Sequence, residues 1–164
     1  MVSPDSFFTG LVCENGHPAT DRLEDQTARA APYCTVCGAS VLSTCPACDA
    51  PIRGDYRPPP GYAHMVRRYE PPAFCHNCGK PYPWTERTLD VAHELIDSSD
   101  ELEPDDKEAL KESLVVLTRD TPASPIATST AKRILSKAGT EFMTTFRAVV
   151  TTVLTEAVRR ELFK

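Results

Sequence analysis

Cys34-Thr35-Val36-Cys37-Gly38-Ala39-Ser40-Val41-Leu42-Ser43-Thr44-Cys45-Pro46-Ala47-Cys48 sets two Cys-x2-Cys pairs within fifteen residues. A pair spaced this way places two sulfurs on one tight turn, facing one ion. Two further pairs flank the stretch, Cys13 with His17 in Cys13-Glu-Asn-Gly-His17 and Cys75 with Cys78 in Cys75-His-Asn-Cys78. All seven cysteines of the chain fall in these four pairs, and His17 brings the ligand count to eight. Eight ligands divide into two tetrahedral sets, one of three cysteines and a histidine, the other of four cysteines. Two structural Zn²⁺ ions are therefore expected. Disulfide frameworks spread cysteines more evenly, so the spacing favours metal over disulfides.

Seven residues separate Cys37 from Cys45, and an extended chain of that length reaches about 23 Å. That is enough to leave one metal and arrive at another. Sequential sites are favoured on this ground: Cys13, His17, Cys34 and Cys37 for the first, and Cys45, Cys48, Cys75 and Cys78 for the second. Nested or cross-braced pairings would use the same eight residues. His17 competes with His64, His76 and His93 for the eighth position. His76 lies between two ligands, where a side chain normally points away from the metal; His64 falls in a loop and His93 in a predicted helix.

The rest of the chain divides by composition. Most of the proline, glycine and aromatic residues precede position 85, and helix-forming runs follow it. The expected architecture is a small α+β chain: a double zinc ribbon of short β-hairpins and knuckles over residues 1–84, then an α-helical region of about four helices over 85–164. A turn-rich segment of this size cannot build a large apolar core and needs staples. Short strands are expected over residues 7–12 and 39–44, with a loop over 18–32. Pro81-Tyr82-Pro83-Trp84 closes the ribbon, and its only tryptophan is expected to pack the second metal site against the helices.

Helices are expected over Thr85–Ile96, from Pro104 through Leu110, Leu114 and Leu117, and over 130–138, with a linker near 119–129 marked by Pro122 and Pro125. The last and longest should run from Glu141 to Phe163, with Phe142, Phe146, Val149 and Val153 along one stripe. It reads as a core helix of a small bundle or a self-association helix. Its threonine-rich face is not strongly basic, so a membrane-surface role is not expected.

The formal charge is −5 and unevenly placed: three basic against eleven acidic residues over 85–112, and eight against four over 113–164. A generic nucleic-acid binder leans basic. Against that trend, the insertion over 49–74 interleaves Arg53, Tyr56, Arg57, Arg67, Arg68 and Tyr69, residues able to contact phosphates and stack on bases. The same residues can equally form the small core of a proline-rich loop lying over the ribbon. The start, MVSPDSFFTGLV, lacks a basic region followed by a long apolar run, and no run of about 18 apolar residues occurs. A reducing cytoplasm is the expected location.

The ligand motifs, with Ile52-Arg53-Gly54 after the third pair and Phe74-Cys75-His-Asn-Cys78-Gly79-Lys80-Pro81-Tyr82-Pro83-Trp84 around the fourth, resemble those of a bacterial family of uncharacterised double zinc-ribbon proteins. The resemblance supports the eight ligands and carries no activity with it. Both sites would be closed by four protein ligands, leaving no position for a reacting water. The expectation is a non-catalytic zinc protein acting as a protein–protein interaction or assembly module, through a partner or self-association at the C-terminal helices. The alternative is a nucleic-acid-binding ribbon using the 49–74 insertion.

Overall fold

In the computed structural model of the chain, which describes residues 6–25, 30–59 and 68–164, the three Cys-x2-Cys segments fold alike. Each is an eight-residue loop closed by an antiparallel bridge, Tyr33 to Ser40, Thr44 to Pro51 and Phe74 to Pro81. The N–H of the first cysteine donates to the carbonyl five residues on, at 2.8 Å in all three (Cys34 to Ala39, Cys45 to Ala50, Cys75 to Lys80). The residue after the second cysteine donates back to the first cysteine's carbonyl. That second bond needs a left-handed residue, supplied by Gly38 (φ +73°), Gly79 (φ +70°) and, in the third pair, Asp49 (φ +58°). A Cβ added at Gly38 or Gly79 would meet nothing within 4 Å. These glycines therefore serve the dihedral angle and not a crowded space.

Among the described residues, short strands accompany the loops: β1 Phe7–Thr9, β2 Leu11–Cys13, β3 Pro18–Thr20, β4 Val41–Leu42 and β5 Arg53–Tyr56. β2 is the centre of an antiparallel three-stranded sheet, β3-β2-β4, while β1 pairs with β5. The stretch 7–12 is thus two strands, divided at Gly10. A side chain there would collide with the Tyr69 hydroxyl, and one at Gly54 with the carbonyl of Asp21, so neither position leaves room for a Cβ. Pro18–Thr20, expected as loop, adds to the sheet through β2.

The chain divides into two units, Met1–Thr85 and Glu86–Lys164. In the first, Val12, Cys45, Ile52, Cys75, Tyr82 and Trp84 form the buried cluster. The Trp84 ring stacks on Tyr82 (centroids 4.5 Å apart, 13° between planes), and its indole N–H donates to the Pro72 carbonyl at 3.0 Å. Gly16 (φ +86°) lies against the same indole, where a Cβ would come within 3.1 Å of the tryptophan Cβ. Trp84 therefore packs the turn of the first ligand pair as well as the last knuckle.

After the last knuckle run α1 Pro83–Asp97, α2 Pro104–Arg119, α3 Ser124–Leu135, α4 Thr140–Val150 and α5 Glu156–Leu162. Their apolar faces meet in one cluster that includes Ile96, Leu110, Leu114, Leu117, Ile134, Phe146 and Val150, all fully buried or nearly so. Two expectations need correction. The linker near 119–129 shrinks to the turn 120–123, because Pro125 stands in the first turn of α3, where its missing N–H costs nothing; Asp120, left-handed at φ +46°, closes α2. The long last helix is two, giving five helices among the described residues. Thr151 and Thr152 turn their hydroxyls onto the carbonyls of Arg147 and Val149, as Thr144 and Thr145 do onto those of Thr140 and Glu141 within α4. Thr155 then starts α5: its hydroxyl accepts from the Val158 N–H at 3.3 Å and donates to Asp120 Oδ2 at 3.1 Å. Among the described residues no helix is long and apolar enough to cross a membrane.

Candidate metal centres

The folded loops gather the eight ligands into two groups, Cys13, His17, Cys34 and Cys37 in one and Cys45, Cys48, Cys75 and Cys78 in the other. Within each, the ligand atoms all lie within 4.8 Å of one another. In the first, Cys13 ends β2 and is buried, His17 follows the Asn15-Gly16 turn, and Cys34 and Cys37 come from a knuckle. His17 points Nδ1 inward, 3.3 Å from Cys37 Sγ, 3.6 Å from Cys13 Sγ and 3.8 Å from Cys34 Sγ. Cys13 and Cys37 sulfurs are 3.7 Å apart. In the second, the cross-knuckle separations are 3.8 Å for Cys45 to Cys78 and 3.7 Å for Cys48 to Cys75.

These separations test whether a metal fits. With Zn–S of about 2.3 Å and Zn–N of about 2.0–2.1 Å, a tetrahedron has S···S edges of about 3.8 Å and S···N edges of about 3.6 Å. The observed spacings match both values. They are far from the ~2.05 Å of a disulfide.

The electrostatics carry the same sense. Burial pushes the Cys13 thiol up, and pushes Cys45 up to about 11. The Ala39 N–H, with the Asn15 amide, brings Cys37 down to about 6. Burial raises Cys75 too, yet the N–H groups of Cys78 and Asn77 outweigh it and leave the thiol at about 6. The Ala50 N–H, and then Asn77, lowers Cys48. Several thiols within 4 Å cannot all ionise unaided, because like charges disfavour one another; a dication at the centre removes the conflict. Backbone N–H groups also point at the sulfurs: His17 to Cys13 at 3.3 Å, Val36 to Cys34 at 3.4 Å and Asn77 to Cys75 at 3.4 Å.

The other candidate histidines stand outside both groups. His76 is exposed and borders a cavity of about 310 Å³ with Phe8, Arg53 and Arg57. His93 is on α1, in the second unit. His64 lies outside the described residues.

The arginine and tyrosine candidates are partly brought together. Arg53 and Tyr56 belong to β5, and Arg57 follows them. The Arg53 guanidinium lies over the Phe7 ring (4.7 Å) and that of Arg57 over Phe8 (4.4 Å). Tyr56 meets Phe7 edge to face at 5.7 Å. Arg57 also pairs with Glu24 at 3.9 Å, and that carboxylate is held by the N–H and hydroxyl of Thr9. Tyr69 donates to the Arg53 carbonyl at 2.8 Å, its phenol raised by burial and by Asp21. Arg53, Arg68 and Tyr69 border a second cavity, of about 290 Å³, together with Asp21, Asp55 and Glu70. Arg67 lies outside the described residues. Phe7, Phe8 and Glu24, which organise this face, did not stand out in the sequence; the adjacent phenylalanines opposite an arginine strand were the available signal.

A small α+β chain with two groups of four sulfur and imidazole donors, each able to hold a metal ion, is the class these features define. The chain belongs to the family described as "Uncharacterized protein conserved in bacteria (DUF2321)", whose model matches residues 7–162. No curated protein and no solved structure matches the chain.

Proposed function

We propose that this is a non-catalytic zinc-binding protein of the bacterial cytoplasm, in which two structural zinc ions hold a ribbon domain over residues 1–84. It acts as a protein–protein interaction or assembly module. The observation that carries the reading is the closure of both groups: four protein donors each, at tetrahedral spacing, fill the coordination of a zinc ion and leave no open position for water or substrate. Soft thiolates in a tetrahedral set suit zinc among the divalent ions, and a reducing compartment keeps them free for it. The partner surface is assigned to the helical region, 85–164, through another protein or a second copy. Its 85–112 segment has three basic against eleven acidic residues, which suits a basic partner face.

A second reading, nucleic-acid binding through Arg53, Tyr56, Arg57, Arg67, Arg68 and Tyr69, is favoured by the gathering of Arg53 and Arg57 on one cavity. Glu24 in the same cavity weighs against it. Titration with mixed-sequence single-stranded and duplex oligonucleotides at about 50 and 200 mM salt separates the two, since phosphate contacts make binding salt-steep. No salt-steep binding is expected, while sedimentation velocity should show self-association or complex formation with a purified partner. Tight binding that collapses with salt and is lost in an Arg53→Ala, Arg68→Ala variant would overturn the module reading.

A further inference from the structure

Each metal group contains an asparagine inside one of its ligand pairs: Asn15 in Cys13-Glu14-Asn15-Gly16-His17, and Asn77 in Cys75-His76-Asn77-Cys78. Each carboxamide reaches out of its own pair and donates to a sulfur of the other. Asn15 Nδ2 is 3.5 Å from Cys37 Sγ, and Asn77 Nδ2 is 3.6 Å from Cys48 Sγ. Only the NH₂ end of the amide can serve a thiolate, which has no proton to give. The two acceptors are equivalent, each being the second cysteine of its knuckle, and each also takes the N–H two residues on, from Ala39 or Ala50.

The groups are otherwise unlike. One combines a strand end, a turn and a knuckle; the other combines two knuckles. The asparagine comes from the earlier pair in the first group and from the later pair in the second. In both, the asparagine stands two residues after the first cysteine of its pair, and its own N–H bonds that cysteine's sulfur. What recurs is a donor aimed across the site at one thiolate.

Resting on the zinc reading above, we propose that Asn15 and Asn77 are positioning residues for the metal-bound thiolates of Cys37 and Cys48. Each ties the two ligand pairs of its site together. Each also draws electron density from one sulfur, making it a poorer nucleophile towards electrophiles and slowing metal loss. Cys37 is the exposed sulfur of its group, so the protection matters most there.

Asn15→Asp and Asn77→Asp remove the donor at almost constant shape. The zinc-loaded chain and each variant would be treated with iodoacetamide, with cysteine modification followed by peptide mass spectrometry; metal release to a chromogenic chelator would be timed alongside. Modification at Cys37 should quicken in Asn15→Asp, and at Cys48 in Asn77→Asp, with release about 10- to 100-fold faster from the affected site. The thiolate-to-metal absorption of the Co²⁺-substituted protein should shift in each variant. Asn→Ala variants serve where an aspartate variant does not fold. Unchanged rates and spectra, or equal quickening at all seven cysteines, would overturn the inference. A wild-type chain that takes up no metal would overturn the zinc reading itself.

Discussion

The two units bury apolar clusters of very different size. Among the described residues, the first buries a cluster of Val12, Cys45, Ile52, Cys75, Tyr82 and Trp84, and two of these six are sulfur ligands. The second closes over fifteen buried apolar residues drawn from all five helices and the turns between them. At about 1.5–3 kcal/mol for each fully buried large side chain, the helical cluster is on the scale of an ordinary small core. The ribbon cluster is not, and its strands are two to four residues long. In one unit the chain folds around its own apolar surface. In the other, loops with little apolar surface to hide bring sulfur and imidazole donors into two groups, where the proposed metal ions would hold them.

The sharpest way to break this contrast is to remove metal. Structural zinc contributes about 10–16 kcal/mol in small zinc domains, so a strong chelator should unfold the first unit while the helical circular dichroism of the second persists. Loss of both together would show that the units are not independent in stability. The converse test is Phe146→Ala, which empties a fully buried site on α4. It should cost the helical unit about 3–5 kcal/mol in denaturant unfolding and leave metal content unchanged.

Smaller effects sharpen the description of the helical unit. Thr155→Ala removes the cap that starts α5 and should cost about 1 kcal/mol, with a larger loss if the contact with Asp120 also holds the α4–α5 turn. Asp106→Asn tests a buried carboxylate on α2 that pairs with Lys137 and, at 3.6 Å, with Arg133. The hydrogen bond and charge of Lys137, and then Arg133, hold this carboxyl below the ordinary range. A depressed folded-state value means the stabilisation is present above the unfolded carboxylate's range and lost as pH falls through the folded one. Wild type should therefore melt higher than Asp106→Asn at pH 7, and the gap should close below pH ~4.

Much of this was legible in the sequence because ligand chemistry is local. A Cys-x2-Cys pair states its own turn, and seven cysteines in four pairs leave few ways to close two sites. Leu110, Leu114 and Leu117 likewise announce α2 by their spacing. What escaped depends on competition between local signals. Pro122 and Pro125 read as a linker, although a proline in the first turn of a helix is harmless. The stripe from Phe142 to Val153 promised one long helix, and Thr155, extended and capping a new helix, divided it. Asn15 and Asn77 did not stand out within their motifs, because a donor aimed across a metal site is visible only once the opposite knuckle is in place.

The most direct measurement is the metal content of the native protein, by elemental analysis with native mass spectrometry. Two zinc ions per chain are expected, falling to one in Cys45→Ser, Cys75→Ser, with Cys13, His17, Cys34 and Cys37 still loaded. One ion in the wild type would contradict the grouping of the eight ligands, and none would contradict the proposal that metal holds the first unit together.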